Sequence, residues 1–287
     1  MQDNFSVALI SDIHGNTPAL EAVLGAIESA GIRTVYVLGD VINAVDPGGC
    51  CDVLRARENT FVIKGNGEEY VCTDNLEGFP LKEDPGWQWI LPRMAWIRDQ
   101  IGTDHLAWIR SWPEELVRGD ALIVHDSPVD RLEVDQGPAD LPPEYCRLYN
   151  HGVGLGVGAS DTFLRANHSI MKERGIATLF CGHTHEPFVR EFEGMTICNA
   201  GSVGLPLDGD PRACWASWSA DGIEIYRQEY ARGKPLADLK TAGKSDRTGT
   251  TIRFKPDADI FIAEDLAFSF DTLVERLRQI AFLVPNL

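Results

Sequence analysis

Apolar and polar positions change period repeatedly along this chain. Residues 6–11, SVALIS, are a short apolar run with β-branched members, and DIHGN breaks it. TPALEAVLGAIESAG then sets Leu20, Val23, Leu24 and Ile27 at helical spacing, with Thr17 as the expected N-cap, Pro18 as first helical residue and Gly31 beyond the end. RTVYVLGDVIN is a second apolar run, halted by Gly-Asp. A helix is predicted over 48–57, and TFVIKGNGEE is a third run, halted by Gly-Asn. Strand, loop and helix repeating in this order predict an α/β fold with a parallel βαβ sheet.

Residues 86–118 read as helical, and their tryptophans (Trp87, Trp89, Trp96, Trp108, Trp112) as packing mass rather than a stacking platform. ALIVHDSP is a further strand with a polar end. Residues 128–160 are rich in Pro and Gly and predict an irregular excursion or lid. Within it HGVGLGVGAS lacks the Gly-Lys-Ser/Thr of a phosphate loop and reads as a flexible loop. A helix over 161–174 and a strand before His183 follow. The alternating runs from 187 to 230 predict antiparallel strands. One domain is therefore expected over 1–231, then a polar linker at 232–259 and a C-terminal helix at 260–287. The stripe Leu266, Phe270, Leu273, Leu277, Ile280 and Val284 fits docking on the parent core or pairing in a homo-oligomer.

Composition narrows the function classes. A formal net charge of −17 argues against general nucleic-acid or membrane-surface binding. The N-terminus reads as neither secretory nor transit-like, and no apolar run is long enough to span a bilayer. Seven cysteines without a C-x-x-C pair read as reduced thiols of a cytoplasmic protein.

The strand ends share one chemistry. The first delivers Asp12 and His14, the second Asp40, the third Asn66, and later ones His125 and then His183 and His185. A lone buried histidine at a strand end is ordinarily a satisfied core residue. Five strand ends that each deliver Asp, Asn or His, where open α/β sheets form ligand sites, point to a site. Imidazole, carboxylate and amide oxygen without cysteine suit divalent Mn, Fe, Ni, Co or Zn rather than a structural zinc site. Asp12-x-His14 and His183-x-His185 would each present two side chains on one side of an extended chain. Seven ligands are too many for one ion and suit two. With two carboxylates and a bridging hydroxide, such a cluster keeps roughly one positive charge, which favours an anionic phosphoester.

The order SDIHGN, GD, GN, a lone histidine and GHTH resembles the calcineurin-like metallophosphoesterases over residues 5–230. SDIHGNTPALEAV, GHTHEPF and NAGSVGLPLDGDPRA are most similar to the small bacterial and archaeal phosphodiesterase branch. The resemblance implies two packed mixed β-sheets flanked by helices in four layers. It implies a dinuclear metal-dependent phosphohydrolase, a phosphodiesterase acting on small phosphoesters, with Mn as the first choice of metal. Asp12, His14 and His185 would hold one ion and Asn66, His125 and His183 the other. Asp40 would bridge, and Asp40, Asn66 and His183 would carry the catalytic roles. Gly182 would permit a tight turn that splits the two imidazoles between the ions.

The chain departs from that family in its third block, where GNGE puts Gly67 in the place of a histidine that contacts phosphate and protonates the leaving group. The alternatives are a phosphomonoesterase or protein phosphatase, or a non-catalytic scaffold of the same fold. Gly67 would free space beside the ions for a diester's second substituent. Asn16, Glu68 and Asp126 are candidates for orienting the ligands, and His105, His151 and His168 have weak claims on the site.

Overall fold

A computed structural model of the chain describes residues 6–43, 45–74, 88, 90–129 and 154–231. The first sheet contains β1 (Ser6–Ile10), β2 (Thr34–Val37), β3 (Thr60–Val62), β9 (Ala213–Ser219) and β10 (Gly222–Gln228), in the order β10-β9-β1-β2-β3. The second contains β4 (Glu115–Arg118), β5 (Ala121–Val124), β6 (Thr178–Cys181), β7 (Phe188–Phe192) and β8 (Met195–Asn199), in the order β4-β5-β6-β8-β7. Each sheet is mixed. β1, β2 and β3 pair in parallel with β3 at one edge of the first sheet and antiparallel β9 and β10 at the other side, while parallel β5, β6 and β8 lie between antiparallel β4 and β7 in the second.

The period of two along the strands sets the layers. Val7 and Leu9 join Ala121, Ile123 and Phe180 in an apolar layer shared by the two sheets. Ala8, Ile10, Val35 and Val37 instead pack with α1 (Thr17–Ser29), α2 (Pro47–Arg55) and α4 (Ile90–Arg110). On the far side Leu122, Val124, Leu179 and Cys181 pack with α5 (Asp161–Glu173). The result is helix, sheet, sheet, helix, as the resemblance implies. The short helix α3 (Asn66–Cys72) begins directly after β3.

Three expectations change. The N-cap of α1 is Asn16, whose Oδ1 accepts from the Ala19 N–H at 3.2 Å, while the Thr17 hydroxyl donates to Asp46 at 2.7 Å. The helix expected to 118 ends at Arg110, and Glu115–Arg118 is a strand. Pro113 cannot continue a helix, and Gly119-Asp120 turns β4 into an antiparallel pair with β5. In the glycine-rich loop Gly154 and Leu155 are buried, whereas Val157, Gly158 and Ser160 are exposed. Residues 130–153, with His151, lie outside the described residues, as do Trp87, Trp89, the predicted linker at 232–259 and the predicted C-terminal helix at 260–287. Cys50, Cys51, Cys72, Cys181, Cys198 and Cys214 are free thiols. No described helix is long and apolar enough to cross a membrane.

Phe180 is fully buried in the layer between the sheets, its ring 5.0 Å from that of Trp218. Phe180→Ala should destabilise the protein by about 3–5 kcal/mol in denaturant unfolding. A loss under about 1 kcal/mol would show that the inter-sheet layer does not depend on this ring.

Candidate metal centre

The loops after β1, β2, β3, β5 and β6 converge on one point, and they do so through unusual backbone. Among the described residues seven non-glycine residues have positive φ, and Asp12 (54°), His14 (50°), Asp40 (53°), His183 (67°) and His185 (60°) are five of them. The i, i+2 pairs are therefore not extended: in each, two left-handed residues flank one that is not, and both side chains point inward. Such a conformation costs roughly 1–2 kcal/mol per residue and persists where its surroundings hold it. Here the loops after β1 and β2 are zipped together, with Asp12 N to Gly39 O at 3.1 Å, His14 N to Asp40 O at 2.9 Å and Gly15 N to Val41 O at 2.7 Å. The GHTH turn is tied in by Gly182 N to His125 O at 2.8 Å and His183 N to Asp12 Oδ2 at 2.9 Å.

Gly182 itself lies outside the positive-φ set, so the turn expected there does not rest on a left-handed glycine. Its role is close approach: a Cβ there would lie 1.9 Å from Ser11 Oγ and 2.6 Å from Asp12 Oδ2.

The seven residues form two groups on either side of Asp40. In the first, His14 Nε2 faces His185 Nε2 at 3.1 Å, and Asp12 Oδ1 lies 3.2 Å from His185 Nε2 and 3.7 Å from His14 Nε2. In the second, Asn66 Oδ1 lies 3.1 Å from His125 Nε2 and 3.0 Å from His183 Nδ1, with the two ring nitrogens 3.3 Å apart. Asp40 turns Oδ2 toward His14 Nε2 at 3.8 Å and Oδ1 toward His125 Nε2 at 3.7 Å.

Neighbouring groups fix how these side chains point. His125 Nδ1 meets the Leu38 carbonyl at 2.6 Å and His185 Nδ1 meets the Leu205 carbonyl, which assigns the proton to Nδ1 and leaves the Nε2 lone pair facing inward. Glu68 accepts four backbone N–H groups: Oε2 takes Asp40 and Gly65 at 2.8 and 2.7 Å, and Oε1 takes Val41 and Ile42 at 2.8 and 3.2 Å. It thus braces the backbone of Asp40 against the start of α3. Asp126 accepts from Ser127 N at 2.6 Å, and its charge favours the protonated forms of His125 and His183. Asn16 caps α1 and donates to the Gly204 carbonyl at 3.0 Å, anchoring the loop that carries Leu205.

Two bracing residues escaped the sequence reading. Buried Asn199 donates to the Gly182 carbonyl at 2.6 Å and to Thr184 Oγ1 at 3.1 Å. Ser202 donates to the Asp12 carbonyl at 2.7 Å. Both lie in the NAGS segment, which was legible only as part of a resemblance. His105 and His168 pair with Asp52 and Glu193 at 3.1 and 3.5 Å instead of joining the centre.

The electrostatics call for a cation. Burial alone would raise Asp12, but the facing His14 and His185 imidazoles and the charge of His125 hold it well below the usual carboxylate range. Burial pulls His125 and His185 down, yet the surrounding carboxylates lift both above the ordinary histidine value. Burial and His125 push His183 down to about 4, which keeps its ring neutral. Burial and the neighbouring Asp40 push Glu68 up to about 7, against the N–H groups of Gly65 and Val41. Most telling is Asp12 Oδ1, which is buried and accepts no hydrogen bond. It can be satisfied by a protonated imidazole at His185 Nε2, 3.2 Å away, or by a cation bound between the two. Asp12 with His14 and His185, and Asp12 with Asp40 and His125, bring potential ligand atoms within 4.8 Å of one another. The donor set therefore fits divalent cations.

The calcineurin-like phosphoesterase superfamily domain matches residues 5–220. This chain belongs to that superfamily. An uncharacterized protein of Methanocaldococcus jannaschii is 26% identical over 78% of this chain and 87% of its own length. Among solved structures, a metallophosphoesterase from Sphaerobacter thermophilus has a TM-score of 0.55 at 23% identity, over 80% of this chain and 90% of that one. A hypothetical protein from Pyrococcus horikoshii has a TM-score of 0.60 at 19% identity, over 79% and 89%. At these identities the two structures show a shared fold. A different match involves 64 residues, 22% of this chain, which are 52% identical to a DNA gyrase polypeptide of Bacillus mycoides; the match spans 16% of that polypeptide's length.

Within this phosphoesterase fold the structure corrects one further expectation. Gly67 does not leave open space: a Cβ there would meet Nδ2 and Oδ1 of Asn43, both at 2.1 Å. The glycine-rich loop also touches the centre, since a Cβ on Gly154 would lie 2.7 Å from His183 Cδ2.

Glu68→Gln keeps the size but turns two of the four acceptor positions into an NH₂ facing N–H donors, whichever way the amide is oriented. We expect the metal-free protein to lose about 3 kcal/mol of unfolding free energy. Unchanged stability would show that the four-bond brace is dispensable.

Proposed function

We propose that this member of the superfamily is a dinuclear metal-dependent phosphohydrolase that cleaves small phosphodiesters. The observation that supports this is Asp40, whose two oxygens face two separate groups of inward-pointing N and O atoms. Asp12 Oδ1, His14 Nε2 and His185 Nε2 would hold one ion, and Asn66 Oδ1, His125 Nε2 and His183 Nδ1 the other, with Asp40 between. Divalent ions bound there would polarise a phosphoryl oxygen and make water nucleophilic near neutral pH. Mn fits, and Fe, Ni, Co or Zn fit the same N/O set.

The chain's own residues set the rest of the chemistry. Left-handed Asp12 and His14 fix the position of one group, and the GHTH turn spans both. Leu38 and Leu205 hold the proton on the outer nitrogen of His125 and His185, so these rings bind rather than exchange protons. No histidine stands at position 67, and Gly67 contributes its N–H to Asp40 Oδ1 at 2.8 Å. Without an imidazolium there, a diester with one negative charge and a good leaving group suits the site better than an alkyl monoester.

Elemental analysis of protein made in Mn-supplemented medium should approach two ions per chain, with aryl diesters cleaved faster than alkyl monoesters. Protein that takes up no metal and cleaves neither class would end this reading. Asp40→Asn should lose both ions and lower turnover by at least about 10²-fold while far-UV circular dichroism stays native. Full activity in that variant would remove Asp40 from the bridging position.

A further inference from the structure

Asn43 was not singled out in the sequence, yet it fills the space beside the residue where this chain departs from its family. Its side chain packs on the Cα of Gly67, so closely that any Cβ there would overlap the amide. Gly67 in turn holds Asp40 by its N–H, which sets Asn43 one residue away from the bridging carboxylate. The backbone of Asn43 is tethered, because its carbonyl accepts from the Arg93 guanidinium on α4. Asn43 is 7% exposed, and among the described residues its side-chain amide has no hydrogen-bonding partner.

Oδ1 and Nδ2 of Asn43 are not sealed from solvent, so the amide is open to water or to a ligand. Its Nδ2 has two N–H groups to give, and the neighbouring centre would draw an anion. We propose that Asn43 is a substrate-contacting residue of this site, donating from Nδ2 to a phosphoryl oxygen of the bound phosphoester. The proposal rests on the phosphohydrolase reading above. An amide can stabilise charge on oxygen but has no proton to release at neutral pH. Asn43 would therefore supply the hydrogen bond that a histidine at 67 makes, without supplying the acid. Gly67 and Asn43 are then a matched pair: a side chain at either position excludes one at the other.

The test uses the full chain loaded with Mn. Wild-type protein should bind inorganic phosphate in calorimetry. Asn43→Ala and the near-isosteric Asn43→Asp should bind it at least about 10-fold more weakly, with metal content and melting temperature unchanged. For an aryl diester, Asn43→Ala should lower kcat/KM by about 10²-fold, the loss typical of one donor to a developing oxyanion. Asn43→Gly combined with Gly67→His should recover phosphate binding and gain activity on alkyl esters, because the vacated space admits an imidazole. Gly67→His alone should fail to do so. The proposal falls if both single variants bind phosphate as wild type does. It also falls if Asn43→Asp keeps the wild-type kcat/KM. If the wild type holds two ions but neither binds phosphate nor cleaves any ester, the phosphohydrolase reading fails and takes this inference with it.

Discussion

Asp12 and Asp40 put two carboxylates inside the protein, at 0% and 3% exposure. Carboxylates removed from water need compensation, and these two receive it unevenly. Asp40 accepts the Gly67 N–H, and Asp12 spends Oδ2 on the His183 N–H. Asp12 Oδ1 accepts nothing, although four imidazoles crowd the same space. Hydrogen bonds from nearby backbone would have quenched this charge at little cost. Two of these rings, His125 and His185, have an outer nitrogen held by a backbone carbonyl. What remains is a standing demand for positive charge, and the unusual features nearby follow from it. Five left-handed residues aim ligands inward, and Gly182 gives up a side chain so that Ser11 and Asp12 can approach the GHTH turn.

Glu68 is the opposite case. This third buried carboxylate uses both oxygens fully, each on two backbone N–H groups. Its oxygens are satisfied by backbone N–H groups, so it acts as a fastener and not as a ligand. It joins the loop that presents Asp40 to the helix that begins with Asn66. Asn199 and Ser202 do the same for the GHTH turn and for Asp12. The separation of two ligand groups is thus controlled by residues that never face the centre.

The strands and their polar ends were legible in the sequence because short apolar runs halted by Gly, Asp or Asn are visible without knowing the fold. The layers were legible only through the family resemblance, since Val7, Ala8, Leu9 and Ile10 are all apolar and only the structure puts Val7 and Leu9 on one face of β1 and Ala8 and Ile10 on the other. Asp12, His14, Asp40, Asn66, His125, His183 and His185 were found because each stands where such a run stops. Their backbone was misread: i, i+2 spacing fits extended and left-handed chain equally, and only long-range bonds such as His14 N to Asp40 O decide between them. The strand at Glu115–Arg118 was lost because ELVR is too short to show a period, although Pro113 and Gly119 mark its ends. Asn43 gave no signal, since its partner Gly67 is 24 residues away and their contact exists only in three dimensions.

The origin of the ligands bears on stability as well as chemistry. Asp12, His14, Asp40 and Asn66 follow strands of one sheet, and His125, His183 and His185 follow strands of the other. The apolar layer already joins the sheets along their length, but at this end the contacts are carboxylate against imidazole. Cations held by ligands from both sheets would act as a cross-link there. Binding restricted to the folded state adds stability by mass action, about 2.7 kcal/mol when free ligand stands at 100 times its dissociation constant. Left-handed backbone at five ligands opposes that gain at roughly 1–2 kcal/mol each, and in the metal-free protein nothing at the centre offsets it. The braces provided by Glu68, Asn199 and Ser202 hold the strained turns in that state. The side chains of the centre already converge, so cations bound there would take the place of protons shared between Asp12 and the imidazoles without requiring the loops to fold around them.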